Sequence, residues 1–359
     1  MTAPRVPSTE LVAQVLALLT ELDPYGLEPG KPGGTPADEY DIEARPLADI
    51  LAQYGRVTAE QVNELWQHYF GEPLSAVVGD GRLEELTAEL NRLSSGVRLP
   101  APPDRPADLD EYFADGPSAR WWVPHYLPHW TTPDRSEARF SATPGALELR
   151  IEAGQLDWRP EDAPLRVSNL QTGTYSGPVG SAVGTHRHRD DDLFVRTETP
   201  LRLLFAPSRG RVDVTVAASR DRGCMLAAWL VGSEHLSPED SGEMCIFEID
   251  ADAIGVETTV RSGIKAHHDP RLVTDMAEIA VPLDASQPHT WTVIWNDHET
   301  IIGCEGVVVR RMPQAPSYPL FLMIDLFEIG PADGEYPKAA TIHRVRGWDL
   351  TGTTSDADL

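Results

Sequence analysis

The chain has few cysteines, few basic residues relative to acidic ones, and no long apolar run. Its three cysteines, Cys224, Cys245 and Cys304, are odd in number and lie in apolar, strand-like surroundings. This pattern indicates buried free thiols and argues against a disulfide framework. No stretch approaches the ~20 consecutive apolar residues that a transmembrane helix needs. We therefore expect neither a disulfide-stabilised fold nor a membrane-spanning chain.

The scarcity of basic charge narrows the possible partners. The 359 residues include 56 acidic and 30 basic side chains, which gives a formal net charge of -26 at pH 7. Such a field repels the phosphate backbone of nucleic acid and the surface of an anionic membrane. Neutral ligands, sugars among them, are compatible with it.

The first residues also lack the features of a secretory signal. The segment MTAPRVPSTELVAQVLALLTEL has no basic n-region and no small-residue cleavage site. Its apolar residues fall on one face of a helix instead of forming an apolar core segment. We therefore expect a cytoplasmic protein.

The N-terminal quarter of the chain carries helical periodicity. Ser8 is placed to cap a first helix, and Pro46 is placed to begin a second. Thr58 with Gln61 three residues later predicts a capping box for a third helix. A last helix is expected over residues 82–94. The pattern predicts a small four-helix domain with no catalytic constellation.

The composition changes twice after these helices. Residues 99–117 are rich in proline and acidic side chains, as linkers are. Beyond them, short apolar or alternating runs recur about every ten residues, separated by turn residues, which favours an all-β sandwich or jelly roll. The predicted organisation is a helical domain of unknown function over 1–98, a linker over 99–117, a β-sandwich over 118–351 and a disordered tail over 352–359.

One strand-like run, SGEMCIFEID, carries two glutamates among apolar residues. Acidic side chains are rarely buried without a partner or a purpose, so Glu243 and Glu248 are candidate catalytic residues. They stand five positions apart, and side chains an odd number apart point to opposite faces of an unbroken strand. Only a β-bulge between them places both carboxylates on one face. Without it, they are two charges that happen to flank a buried strand.

The same run resembles the active-site strand of glycoside hydrolase family 16, whose motif is Glu-x-Asp-x-x-Glu with such a bulge. The similarity extends in order over residues 121–350 and includes GCMLAAWLVG, HTWTVIW and the closing IHRVRGWDL. An uncharacterised subgroup with YLPHW and LQTG-x-x-SGPVGS segments is more similar still. The resemblance implies a concanavalin A-like jelly roll and an O-glycosyl hydrolase that uses no cofactor and no catalytic metal.

By position, the resemblance makes Glu243 the nucleophile and Glu248 the general acid/base of a retaining mechanism. Cys245 stands where the family has the middle aspartate, which hydrogen-bonds to the nucleophile. A thiol is a weak donor with less capacity to orient a carboxylate. Either the activity is reduced or lost, or another acid fills the gap. Asp325, on a neighbouring strand if the topology holds, is the candidate for that acid.

Other residues are candidates for binding substrate. Trp229 matches a cleft tryptophan of the family and can stack on a sugar ring, although core packing explains it as well. His267 falls near a cleft histidine and can hydrogen-bond to substrate hydroxyls. His186 and His188 have the spacing of a metal pair, with Asp190–Asp192 following. Their polar context favours a solvated loop, and no metal is expected.

The functional hypothesis is a retaining hydrolase or transglycosylase that acts on a β-linked glucan or galactan. One alternative is a catalytically weak or inactive carbohydrate-binding sandwich. Another is a sandwich that serves as an interaction scaffold for the helical domain. The missing signal sequence favours an intracellular oligosaccharide, an export route that the sequence does not show, or no glycan substrate.

Overall fold

The chain forms two compact units. One contains residues 1–99 and 307–313, and the other contains residues 100–306 and 314–359. The structure is a computed structural model that describes residues 9–54, 56–94, 98–188 and 192–352. Within these residues, no helix is both long enough and apolar enough to cross a membrane.

The first unit is a small helical bundle. Its helices are α1 (Thr9–Leu22), α2 (Asp41–Tyr54), α3 (Ala59–Phe70), α4 (Leu74–Val78) and α5 (Asp80–Ser94). Their apolar faces meet in a core whose fully buried members include Val15, Leu47, Val62, Trp66 and Leu90. Burial of these apolar stripes, at ~25 cal/mol per Å², is the main force that holds short helices together.

The observed helix boundaries can be compared with those predicted from capping residues and proline. The capping box is confirmed, because the Gln61 amide donates to Thr58 Oγ1 at 3.2 Å and the Thr58 amide donates to Gln61 Oε1 at 2.9 Å. The prediction that Pro46 begins a helix is wrong, since α2 begins at Asp41 and contains Pro46. Acidic residues at Asp41 and Glu43 stabilise this earlier start at the helix N-terminus. Helix α4 was not predicted.

Some sequence predictions fall outside the described residues. They are the Ser8 cap, two of the three aspartates of the 190–192 run, and the tail from residue 353 onward.

Strands dominate the rest of the chain. In order they are β1 (Leu109–Glu111), β2 (Arg139–Thr143), β3 (Ala146–Ile151), β4 (Leu165–Gln171), β5 (Gly173–Thr174), β6 (Arg202–Leu203), β7 (Gly210–Ala217), β8 (Cys224–Gly232), β9 (Glu243–Asp250), β10 (Thr258–Lys265), β11 (Asp275–Val281), β12 (His289–Trp295), β13 (Thr300–Cys304), β14 (Val307–Met312), β15 (Leu320–Ile329) and β16 (Lys338–Asp349). A short helix, α6 (Pro133–Ser136), precedes β2.

The second unit is a sandwich of two antiparallel sheets. One sheet has the order β13-β12-β7-β16-β3-β2, and β1 is also hydrogen-bonded to β16. The other has the order β11-β10-β9-β8-β15-β4. The sheets meet where Phe247 of β9 packs on Trp291 of β12, with ring centroids 5.3 Å apart. Strand β8 is buried along its whole length, as expected for a central strand covered on both faces.

The proline-rich segment contains structure as well as linker-like composition. Leu109–Glu111 forms β1, and the Asp108 amide donates to the Gly347 carbonyl at 2.8 Å. Arg105 forms an ion pair with Asp108 and donates to the Asp349 carbonyl at 2.7 Å. Residues 105–111 are therefore attached to the sandwich.

Candidate active site

Strand β9 contains an extra residue in the middle of the glutamate run. Ala228 of β8 pairs with Phe247 of β9. The next residue of β8, Trp229, pairs with Cys245. Ile246 therefore has no partner on β8, and the pairing of β9 with β10 shifts at the same place. This is the β-bulge on which the glutamate pair depends.

The bulge brings three side chains of β9 to one face of the sheet. A carboxylate oxygen of Glu243, the Cys245 Sγ and a carboxylate oxygen of Glu248 lie within 4.8 Å of one another. The Lys265 ammonium lies between the glutamates, 2.9 Å from Glu243 Oε1 and 2.7 Å from Glu248 Oε1. The two carboxylates are thus neighbours, as a catalytic pair requires.

Strand β10 supports the bulge. The Ser262 hydroxyl is 3.1 Å from the Cys245 carbonyl oxygen and 3.0 Å from the Ile246 carbonyl oxygen. It supplies a donor where the ladder is interrupted, so the bulged carbonyls are not left without one. Gly263 pairs with Cys245 and has φ 147°, a conformation that side-chain-bearing residues rarely adopt. Ser262 and Gly263 together fit β10 to the irregular strand.

Two cations neutralise the acidic face. Arg261 Nε is 2.9 Å from Glu248 Oε2, and the same guanidinium forms an ion pair with Asp250. Burial by itself would lower the pKa of Lys265, but the negative charges of Glu243 and Glu248 outweigh it and raise that pKa. Lys265 therefore stays cationic between the carboxylates.

Glu243 is the more buried of the two glutamates, with a side chain 1% exposed. His267 Nε2 lies 2.9 Å from Glu243 Oε2, and His186 Nε2 lies 4.0 Å from the same oxygen. Burial alone would raise the pKa of Glu243, but the hydrogen bond with His267 and the charge of Lys265 lower it to about 2. Glu243 is therefore ionised at neutral pH.

Cys245 lies between the two acids and remains a thiol. Burial, and then the neighbouring Glu248 carboxylate, raise its pKa well above the usual value. Its Sγ is 3.7 Å from the Arg261 carbonyl oxygen, which is a weak contact. The position between the two acids thus holds a neutral side chain.

Asp325 lies on the same face of the sheet. Among the described residues, its side chain has no hydrogen bond to either glutamate. It pairs with Ala227, which in turn pairs with Glu248 on the other side. Its Oδ1 accepts from Asn169 Nδ2 at 2.6 Å. Burial is the main cause that raises the pKa of Asp325 well above its usual value, and the charge of Glu243 adds to it. Asp325 is a neutral acid two strands away from Glu248.

Comparison with known proteins bears on the fold. No protein-family model and no curated protein matches the chain. A GlcNAcα1-4Gal-releasing endo-β-galactosidase from Clostridium perfringens is similar in structure, with a TM-score of 0.59 and 19% identity over 69% of this chain and 65% of that one. The endo-1,3-β-glucanase (laminarinase) catalytic domain from Thermotoga petrophila has a TM-score of 0.47 and 14% identity over 68% of this chain and 98% of that one.

The fold is a jelly-roll sandwich. The predicted fold class, a jelly-roll sandwich with a few N-terminal helices, is confirmed. The matched part of the chain spans slightly less than two thirds of the length of the endo-β-galactosidase. At 19% identity, this likeness concerns the fold, and the chemistry has to be argued from the side chains of the jelly roll.

Trp229 is enclosed by protein on the same jelly-roll face. It is 6% exposed, its ring stacks against His186 at 6.4 Å, and Phe327 packs on it at 5.6 Å. The Lys265 ammonium is 5.3 Å from the ring centroid. A sugar ring can stack on Trp229 only if one of these neighbours moves aside. In this structure Trp229 is therefore a core-packing residue.

His186, like Lys265 and Arg261, is a site residue that sequence reasoning missed. The sequence predicted a solvated loop for it, but the residue is 7% exposed and its ring meets His267 edge-on at 5.2 Å. The only signal was its spacing from His188, whose ring is 5.3 Å away. His268, by contrast, turns its Nε2 to the Arg187 carbonyl at 3.1 Å. His186 and His267 thus face Glu243, whereas His268 does not.

Proposed function

We propose that the protein is a retaining glycoside hydrolase or transglycosylase that acts on a β-linked glucan or galactan. Glu243 is its nucleophile and Glu248 its general acid/base. The observation that carries the proposal is the bulge at Ile246, because it turns two carboxylates five positions apart toward one ammonium group. In a strand without this bulge, the two glutamate side chains would point to opposite faces of the sheet.

The separation of the carboxylates favours the retaining mechanism over the inverting one. Inverting enzymes leave ~6.5–9.5 Å between the two carboxyl groups for a water molecule, whereas retaining enzymes have ~5–5.5 Å. Here an oxygen of Glu243 and an oxygen of Glu248 lie within 4.8 Å. The attacking group is therefore Glu243 itself.

The reaction proceeds in two steps. In the first, Glu243 attacks the anomeric carbon while Glu248 gives its proton to the departing glycosidic oxygen, which leaves a glycosyl ester on Glu243. In the second, Glu248 takes a proton from water or an acceptor hydroxyl, whose oxygen attacks the anomeric carbon and releases Glu243. Water yields hydrolysis, and a sugar hydroxyl yields transglycosylation.

Lys265 and His267 take over the orienting part that family 16 gives to its middle aspartate. Both contact Glu243, through Oε1 at 2.9 Å and Oε2 at 2.9 Å respectively. A carboxylate held at both oxygens keeps one orientation, which is what nucleophilic attack needs. This arrangement compensates for the weak thiol of Cys245 and makes a substitute role for Asp325 unnecessary.

Substrate reaches the pair from the β10 side. Glu243 is 1% exposed and Glu248 9%, whereas the Lys265 and Arg261 side chains are 29% and 37% exposed. Glu248 must carry a proton when the glycosidic oxygen arrives, and Lys265 now occupies one of its oxygens. The sugar therefore displaces the Lys265 contact as it binds.

Trapping the glycosyl ester tests the proposal. Incubation with activated 2-deoxy-2-fluoro β-glucosides and β-galactosides should leave one sugar on Glu243, detected by peptide mass spectrometry. Glu243→Gln should not be labelled, and Glu257→Gln, at an exposed position outside the site, should be labelled like the wild type. An adduct that persists in Glu243→Gln would refute the assignment.

The second candidate function is a carbohydrate-binding sandwich without hydrolysis. It is favoured by the two cations that engage both Glu248 oxygens, since proton donation is blocked while they stay. In that case an oligosaccharide array gives binding, but no fluorosugar labels the protein. Oligosaccharide binding together with fluorosugar labelling therefore distinguishes a hydrolase from a binding module.

A further inference from the structure

Two histidines and a glutamate converge at the edge of the carboxylate pair. One ring nitrogen of His186, one of His267 and one Glu243 oxygen lie within 4.8 Å of one another. The Nε2 atoms of the two histidines approach the same atom, Glu243 Oε2, at 4.0 and 2.9 Å. The second contact is a hydrogen bond, but 4.0 Å is too long for one. His186 therefore points at a carboxylate oxygen that it does not reach.

These separations suit a shared metal ion. Imidazole nitrogens and carboxylate oxygens bind Zn²⁺ at about 2.0–2.2 Å. Two such ligands on a tetrahedral ion lie ~3.4 Å apart, and the two observed nitrogen-oxygen distances fall on either side of that value. The three ligand atoms, which lie within 4.8 Å of one another, are close enough to be brought to one ion by rotation of the two imidazole rings. The set is two histidines and one carboxylate, a common ligand combination for late first-row metals.

The backbone presents both histidines in an unusual way. His186 has φ 57° and His267 has φ 48°, in the left-handed region that residues other than glycine seldom enter. The Glu234 carboxylate accepts the amide of His186 at 2.5 Å, and the Ser241 hydroxyl accepts the amide of His268 at 3.0 Å. Strained conformations of this type concentrate at functional sites. Both loops are thus fastened in the conformation that directs the imidazoles at Glu243.

We propose that His186, His267 and Glu243 form a binding site for a divalent cation of the Zn²⁺ class. The imidazole pair selects such an ion over Mg²⁺ or Ca²⁺, which prefer oxygen ligands. Lys265 occupies Oε1 of Glu243, and the metal ion takes the place of the hydrogen bond between His267 Nε2 and Oε2. The site shares Glu243 and His267 with the proposed function, but the inference rests on the three side chains and their geometry and not on a sugar substrate.

Cobalt is the probe for this site. Co²⁺ takes the same ligands as Zn²⁺ and, when bound in a tetrahedral site, has visible absorption bands that report nitrogen and oxygen ligation. Titration of the metal-stripped full chain with CoCl₂ should give these bands with an end point of one equivalent. Addition of Zn²⁺ should then abolish them by displacement. Equilibrium dialysis with Zn²⁺ and elemental analysis supply the stoichiometry independently.

Variants identify the ligands. His186→Gln and His267→Gln should each weaken Co²⁺ binding by tenfold or more, while His268→Gln, next in sequence but turned to the Arg187 carbonyl, should bind like the wild type. Circular dichroism of each variant confirms that it is folded. Equal Co²⁺ affinity in wild type, His186→Gln and His267→Gln, or no band in the wild type, overturns the site. Fluorosugar labelling of Glu243 is measured on the metal-stripped chain and Co²⁺ binding without sugar, so the two proposals fail separately.

Discussion

The Ser262 hydroxyl lies 3.1 Å from the Cys245 carbonyl oxygen, beside the extra residue of β9. The same hydroxyl lies 3.0 Å from the Ile246 carbonyl oxygen. One O–H group therefore serves both carbonyls at the place where the ladder between β9 and β10 is broken. Since the bulge sets the position of the two glutamates, a single hydroxyl on the neighbouring strand contributes to the geometry of the site.

Removal of that hydroxyl should loosen the bulge. Ser262→Ala leaves the carbonyls of the bulge without their donor in a buried position, and we expect a loss of about 1–2 kcal/mol in the free energy of unfolding in urea. Fluorosugar labelling of Glu243 should also slow. The comparison is Ser141→Ala, at a half-buried position of β2 in the other sheet, which should change neither quantity. Equal stabilities for the two variants would show that the bulge does not need Ser262.

The sequence predicts the fold better than it predicts the site. Turn residues at regular spacing and alternating apolar runs are local signals, and they are sufficient for a β-sandwich. The bulge at Ile246 has no local signal, because an apolar strand reads the same with or without an unpaired residue. It could be predicted only from the resemblance to the Glu-x-Asp-x-x-Glu strand.

The partners of Glu243 show why the rest of the site could not be predicted. Lys265 and His267 lie on β10 and just after it, and His186 precedes Glu243 by 57 positions, in a loop. Their convergence depends on strand register and on the left-handed backbone of two non-glycine residues. Asp325, by contrast, lies on the expected face because regular strand pairing places it there. Its carboxyl group hydrogen-bonds to Asn169 and not to the glutamates.

Lys265 should be necessary for stability because it separates two carboxylates. Lys265→Met leaves Glu243 and Glu248 as neighbouring negative charges without their shared cation. Loss of one partner of a buried ion pair costs about 3–5 kcal/mol, and the partial exposure of Lys265 reduces this to about 2–3 kcal/mol. Urea unfolding at neutral pH measures the loss. Lys265→Arg keeps the charge and should retain more than half of the difference, whereas similar values for Met and Arg would exclude a charge effect.

An aspartate at position 245, where the family 16 motif that β9 resembles has one, should be harmful in this chain. Cys245 is fully buried, and Cys245→Asp adds a third carboxyl group between Glu243 and Glu248 with no further cation to balance it. We expect the free energy of unfolding to fall by more than ~2 kcal/mol. Cys245→Ser, which has nearly the same size and no charge, should cost less than half as much. A more stable Cys245→Asp protein, with faster fluorosugar labelling, would instead show that the site accommodates an aspartate between the two glutamates.

His129 should impose a pH dependence on stability that does not involve the glutamate pair. Its ring is completely buried, with Nε2 2.8 Å from the Thr185 carbonyl oxygen, and burial lowers its pKa from 6.5 to about 4. Between those two pH values the unfolded chain binds a proton that the folded chain does not. Stability therefore falls as the pH is lowered from 6.5 to about 4, by up to about 3 kcal/mol from this residue. Below about pH 4 both states are protonated and this slope ends.

The comparison of wild type with His129→Gln isolates that contribution. The glutamine amide can still donate to the Thr185 carbonyl, but it does not titrate, so the variant should lack the His129 part of the slope. Urea midpoints measured at half-unit intervals from pH 7.5 to 4 yield the difference between the two proteins as a function of pH. The difference should be constant above pH 7 and should shift in favour of the variant as the pH falls, because only the wild type loses stability through His129. A difference that stays flat across the whole range means that His129 is protonated equally in the folded and unfolded chains, which its complete burial against a carbonyl group does not allow.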